Sequence, residues 1–177
     1  MKGSLFYDTL KKIQLKNEAN KMRIIETRDA ELMGRLGKVM QEKHIELYPT
    51  FFKPYHQEAI TNAFIKHFEN PKERVFLWQD DTNQEAIAAY LWLEEQAVEE
   101  TIYTFGYQRL YLHHVLVMPG YQGQGLGKEL LNFADDYAKK QQIKAVELHY
   151  WPNNGIAKHT YKKHGYEVYK ESAQKLL

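Results

Sequence analysis

Residues 122–128, Gln-Gly-Gln-Gly-Leu-Gly-Lys, have the composition of a backbone anion site. An apolar, β-prone run, Tyr-Leu-His-His-Val-Leu-Val at 111–117, leads into them through Met118-Pro119-Gly120-Tyr121. Beyond them Leu126, Leu130, Leu131, Phe133, Ala134, Tyr137 and Ala138 recur at helical spacing with charges between. The unit is therefore strand, glycine-rich turn, helix. It presents free backbone N–H groups at a helix N-terminus, where the dipole favours an anion. Glycines allow a phosphate to approach because no Cβ intervenes. His113 and His114 on the preceding strand, and Tyr161 further on, add groups able to move a proton.

Two common phosphate motifs do not fit. A P-loop requires Gly-x-x-x-x-Gly-Lys-Ser/Thr, but Gly127-Lys128 is followed by Glu129 and Gln122 stands where the first glycine belongs. A dinucleotide fingerprint counted from Gly123 places its third glycine at Lys128, and one counted from Gly125 places it at Leu130.

The spacing that does fit is Gln-x-x-Gly-x-Gly at Gln122, Gly125 and Gly127, preceded by Val117-Met118-Pro119. It closely resembles the acetyl-CoA-binding motif of the GNAT superfamily of N-acetyltransferases. A second stretch, Asn154-Gly155-Ile156-Ala157 through Tyr161-Lys162-Lys163-His164-Gly165-Tyr166, is similar to the family's Asn-x-x-Ala helix ending in Tyr-x-Lys-x-Gly-aromatic. The resemblance covers residues 110–169 in detail and the earlier chain in layout.

The resemblance implies an acetyl-CoA-dependent N-acetyltransferase in which a primary amine attacks directly within a ternary complex. Acetyl-CoA would be the cosubstrate, with no metal. Its phosphates would lie on Gln122, Gly123, Gln124, Gly125, Leu126, Gly127 and Lys128, mainly on backbone. Its pantetheine arm would run beside Val115 and Val117, with the N–H of Val115 or a neighbour polarising the thioester carbonyl. Asn154 would touch the arm, cap its helix, or do both. Tyr161 aligns with the tyrosine that protonates the departing sulfur, and a phenol of pKa ~10 suits a thiolate of similar basicity. His113 occupies a position where some members place a base; a histidine titrating near ~6.5 suits that task. His114, Glu94 and water alone are the alternatives. The acceptor is a small-molecule or protein amine. A non-catalytic acyl-CoA-binding regulatory module is the competing reading.

Bulk properties agree with one soluble domain. The chain has 177 residues, 44% hydrophobic and 27% charged, with a net charge of +1. That balance gives no field for nucleic acid or an anionic membrane. No apolar run is long enough to span a bilayer, no signal-peptide pattern opens the chain, and the expected location is cytoplasmic. The absence of cysteine excludes disulfides, cysteine-based metal sites and an acetyl-cysteine intermediate.

The elements that must position these residues follow from pattern. Residues 1–21 are expected to be an appended extension or a short amphipathic helix, with the transferase domain over 22–177. A strand at 22–25 precedes a helix capped by Asp29, with Leu32, Met33, Leu36, Val39 and Met40 on one side. Two prolines exclude a regular helix from residues 45–55, where Tyr48, Phe51, Phe52 and Tyr55 either anchor a loop or wall an acceptor pocket. A helix over 56–69 turns Ala59, Ile60, Ala63, Phe64 and Phe68 inward. Strands at 74–79, 85–93 and 110–117 form a meander, with a turn at 80–83. The acidic stretch Glu94, Glu95, Glu99 and Glu100 is either a solvated loop or an attractor for a cationic amine. The central helix, a strand at 145–150, a helix capped by Asn154 and ended by Gly165, and a last strand at 166–169 complete the layout. Alternation along 111–117 sends Tyr111, His113, Val115 and Val117 to one face and Leu112, His114 and Leu116 to the other. The fold class is α/β, with a GNAT-like mixed, mostly antiparallel sheet flanked by helices. Many members of the resembled family continue into another long strand, whereas only eight residues follow Tyr169; the expectation is that a second subunit, in a homodimer, completes the sheet edge.

Overall fold

The computed structural model describes residues 22–82 and 86–175. The expected extension at 1–21, the end of the turn at Asn83 and the strand start at Glu85 lie outside the described residues. The elements are β1 (Met22–Thr27), α1 (Ala30–Leu47), α2 (Gln57–His67), β2 (Glu73–Asp80), β3 (Ile87–Val98), β4 (Tyr107–Val117), a 3-10 turn (Pro119–Tyr121), α3 (Leu126–Lys140), β5 (Ala145–Leu148) and α4 (Gly155–Lys163). The sheet runs β1-β2-β3-β4-β5. Its first four strands pair antiparallel and β4 pairs β5 parallel, with α3 as the crossover that a parallel pair requires. This is the mixed, mostly antiparallel α/β sheet expected.

Both faces of the sheet are buried. Phe76, Trp78, Leu91, Leu93, Leu110 and Leu112 pack with Leu126, Leu130, Leu131, Phe133, Ala134 and Tyr137 of α3. Val75, Leu77, Tyr90 and Trp92 pack on the opposite face with Met33 and Leu36 of α1 and Phe64 of α2. Adjacent residues of β2 and β3 thus serve different layers, which is why these strands read as continuous apolar runs.

Local signals explain most boundaries. Asp29 caps α1, its Oδ1 accepting the Leu32 N–H at 2.8 Å. Helices α1 and α2 touch closely at Gly34, where a Cβ would sit 2.1 Å from Thr61 Oγ1. Helix α1 extends to Leu47, so residues 45–47 of the proline-containing stretch are helical and Pro49 acts only after them. On α2, Phe64 is buried while Ala59 and Ala63 are exposed, contrary to expectation.

Three expectations are corrected. β3 does not end at Leu93: it pairs with β4 from Ala89↔Val117 to Val98↔Tyr107, so Glu94 and Glu95 lie on a strand and not in a solvated loop. Cross-strand pairing outweighed the low β-propensity of glutamate. Residues 166–169 form no strand; beyond Gly165 (φ +94°) the described residues join no strand ladder, and the Tyr169 hydroxyl donates to Glu147 Oε2 at 2.8 Å. Strict alternation on β4 also fails. Trp92 pairs with His114 but Leu93 pairs with Leu112, so His113 is a surplus residue, a β-bulge. Leu112 therefore shares the α3 face with Val115 and Val117, while His114 and Leu116 lie on the α1 face.

Candidate active site

The glycine turn is built by backbone conformation. Gly123 (φ +77°) and Gly125 (φ +87°) occupy the left-handed region, which a side chain strains. Gly125 is the N-cap of α3, and its carbonyl takes the N–H groups of Lys128 and Glu129 at 3.0 and 3.2 Å. The N–H groups preceding these have no acceptor within the helix. A Cβ on Gly120, Gly123 or Gly125 would meet nothing within 4 Å, so the space before the turn is open to a bulky anion. Gln122, Gln124 and Lys128 are exposed. Leu126 differs from them: its side chain is in the core, 1% exposed, leaving only its backbone for a ligand.

Next to this turn the sheet opens. Pairing between β4 and β5 stops at Leu112↔Leu148, while β4 continues to Val117. Met118 N–H donates to Ala88 O at 2.9 Å, so alternation turns the N–H and C=O of Val117 and Val115 away from β3 and into the opening. The Gln122 side chain confirms the direction, its Nε2 donating to Val117 O at 3.3 Å. The result is a strand edge able to pair with an extended amide chain, leading to a helix N-terminus able to take phosphate.

His113 stands where the strands part. Its Nε2 lies 2.9 Å from Glu94 Oε2. Its ring stacks on Trp92 (centroids 4.3 Å, 19°) and meets the edge of Tyr111 at 4.8 Å. Burial opposes ionisation of Glu94, but hydrogen bonds from Gln96, His113 and Asn70, with the His113 charge, outweigh it and hold the carboxyl below its ordinary range. Asn70 Nδ2 bridges Glu94 Oε1 and Glu73 Oε1, each at 3.2 Å. Glu73 Oε2 in turn takes Trp92 Nε1–H at 3.1 Å and lies 3.0 Å from His67 Nδ1. No local pattern in the sequence signals Asn70, Glu73 or Trp92, because the network joins three separate elements. His114 is different in kind: its Nδ1 bonds the Tyr90 hydroxyl at 2.9 Å, and burial, then the charges of His113, His44 and His67, push its pKa down to about 3.

Tyr161 lies on α4, 9% exposed, within the α3-side core, its ring 5.7 Å from Tyr150 and 5.8 Å from Tyr166. Burial pushes its phenol up to about 12. Asn154 caps α4, its Oδ1 accepting the Ala157 N–H at 3.1 Å. Gly127 brings α3 against α4, its Cβ position being 3.8 Å from the Thr160 methyl. Tyr161, Leu126, Val115 and Val117 therefore belong to one core cluster, and the Gly127–Thr160 contact sets α4, which Asn154 caps, against the start of α3. His113 enters from the α1 side, through its stack on Trp92. Among the described residues no three His, Asp or Glu side chains converge as metal ligands, and no helix is long and apolar enough to cross a membrane.

The aromatic loop packs on the segment after β5. Trp151 is ringed by Tyr48, Phe51 and Phe52 at 4.7, 4.8 and 5.1 Å, and the Tyr48 hydroxyl accepts the Asn153 N–H at 3.0 Å. Of the two expectations for these rings, loop anchoring is what the contacts display.

A sequence model of the acetyltransferase (GNAT) family matches residues 40–166. An uncharacterised N-acetyltransferase of Bacillus subtilis (strain 168), YycN, is 27% identical over 115 residues, a match spanning 63% of this chain and 66% of that protein. Among solved structures, a tetramutant of the BH1408 protein from Bacillus halodurans superposes with a TM-score of 0.79 at 22% identity, over 88% of this chain and 100% of that one. A predicted acetyltransferase from Clostridium acetobutylicum, solved with acetyl-CoA, superposes with a TM-score of 0.65 at 16% identity, over 88% and 96%.

Proposed function

This chain belongs to the acetyltransferase (GNAT) family, and on that premise we propose that it transfers the acetyl group of acetyl-CoA to a primary amine by direct attack within a ternary complex. The observation carrying this reading is the juxtaposition of two backbone sites: the outward N–H groups of Val115 and Val117 where β4 leaves β5, and the open N-terminus of α3 behind Gly123 and Gly125. Bound acetyl-CoA supplies an activated thioester.

The residues of the chain then divide the work. Gln122, Gly123, Gln124, Gly125, Leu126, Gly127 and Lys128 hold phosphate, Leu126 by its backbone alone. Val115 and Val117 bind the arm as a neighbouring strand would, and the Val115 N–H stabilises negative charge on the carbonyl oxygen. Asn154 fixes the start of α4 and thereby the placement of Tyr161. Tyr161, protonated at neutral pH, donates its proton to the departing sulfur. His113 accepts the proton of the amine, directly or through water. Residues 22–177 act as one transferase domain without a metal, on a small-molecule or protein amine, and two copies are expected to associate along the sheet edge at β5. The net charge of +1 favours neither nucleic acid nor membrane as partner, and a cytoplasmic setting suits a chain without cysteine.

Calorimetric titration with acetyl-CoA, beside a Gly125→Glu variant, tests this. Micromolar binding that the variant loses places the coenzyme on the turn. A folded protein that binds neither acetyl-CoA nor CoA overturns it. A protein that binds but releases no thiol with any amine, and is indifferent to Tyr161→Phe, is a regulatory acyl-CoA-binding module instead.

A further inference from the structure

We infer that Glu94, held by Asn70, is a positioning residue that selects the tautomer of His113 and aims its second nitrogen at the acceptor amine. The inference rests on the proposed acetyl transfer, in which His113 takes the amine proton.

The argument begins with what each partner of Glu94 can offer. Its carboxyl is held below the ordinary range and is therefore an ionised, acceptor-only group at neutral pH. A carboxylate oxygen 2.9 Å from His113 Nε2 requires Nε2 to carry the hydrogen. In the neutral imidazole the lone pair is then on Nδ1, which is the nitrogen left to accept a proton. The ring has little freedom to reverse this. Trp92 lies flat against it at 4.3 Å and Tyr111 closes its edge at 4.8 Å. The carboxylate is itself fixed: Asn70 Nδ2 donates to Oε1 at 3.2 Å, and Gln96 Nε2 donates to Oε2 beside His113. All three partners of Glu94 are thus donors, so a neutral amide in its place must turn an N–H towards another N–H.

Asn70 extends the hold backwards. The same Nδ2 reaches Glu73 Oε1, whose other oxygen takes Trp92 Nε1–H. The residue that stacks on His113 and the residue that orients it are therefore anchored to one amide. The turn between α2 and β2, remote in sequence from the glycine motif, becomes part of the site through this link.

Nitrogen-15 spectra of the histidine-labelled full chain near neutral pH read which ring nitrogen of His113 is protonated. Coenzyme release with ethanolamine, spermidine and 2-phenylethylamine as acceptors reads turnover. The expected result is an Nε2–H tautomer in the native chain and a mixed population in Glu94→Ala. Turnover in that variant falls roughly tenfold at an unchanged KM for acetyl-CoA. Asn70→Ala gives a smaller fall in the same direction. An unchanged tautomer in the variants, or unchanged turnover beside a native chain that is active, overturns the positioning role. Should Glu94→Ala not fold, Glu94→Leu gives the same readout, since a side chain of similar length leaves the His113 Nε2–H no acceptor at that place. Failure of the underlying reading looks different: His113→Gln retains full turnover whatever the tautomer does.

Discussion

Glu129 Oε1 accepts the indole N–H of Trp78 at 2.8 Å, joining the first turn of α3 to a side chain of β2 that is 0% exposed. The carboxylate satisfies a donor in the core and places negative charge at a helix N-terminus. Glu129→Ala should lower unfolding free energy by about 1–3 kcal/mol, because it strips a buried N–H of its acceptor. Glu129→Gln retains an acceptor and should lose less. Urea unfolding of the two variants, followed by tryptophan fluorescence, measures both.

Tyr161 has its phenol pushed up to about 12 by burial. It stays protonated from pH 6 to 10, so its removal should not reshape the pH–rate profile. Tyr161→Phe is expected to lower kcat on the order of 10- to 100-fold and uniformly over that range. An alkaline limb that is lost in the variant would instead mean that the Tyr161 phenol itself titrates within that range.

His114 couples the α1-side core to pH. Its folded pKa is about 3 against an ordinary 6.5, so the unfolded chain takes up the proton first as pH falls. Its contribution to stability is complete above pH 6.5 and is lost as pH falls from there towards 3. Unfolding free energy should decline between pH 6.5 and 4 with a slope from this group of at most about 1.4 kcal/mol per pH unit. His114→Gln should flatten that decline. The comparison is made by denaturant titration at several pH values.

Trp151 gathers Tyr48, Phe51 and Phe52 of the loop between α1 and α2. Trp151→Ala should cost about 2 kcal/mol, less than a fully buried aromatic, since Phe51 is already 59% exposed. Limited proteolysis should then cut first within residues 48–55.

Features with a local cause were legible in the sequence. Asp29 and Asn154 cap helices as their positions predict, and Gly123, Gly125 and Gly165 take the positive φ that their turns demand. Features decided by a distant neighbour were not. Nothing in Glu94-Glu95 announces a strand; ten residues of pairing with β4 supply it. Tyr166 and Val168 alternate like a strand but meet no partner to form a ladder. The surplus residue in β4 was invisible for a further reason: a period of two is an assumption about both strands of a pair, and only their register displays its failure.

That surplus residue separates the upkeep of the fold from its use. Without His113, Leu112 and His114 would become neighbours, and the strand would keep Leu112, Val115 and Val117 on the same face as now, opposite the same residues of β3. The ladder would gain regularity and lose the bend that a bulge imposes. A chain shortened by this single residue would thus keep its core while the gap between β4 and β5 narrowed. Substitution scanning tests what each side chain supplies; a one-residue contraction tests what spare backbone length supplies, which here is room.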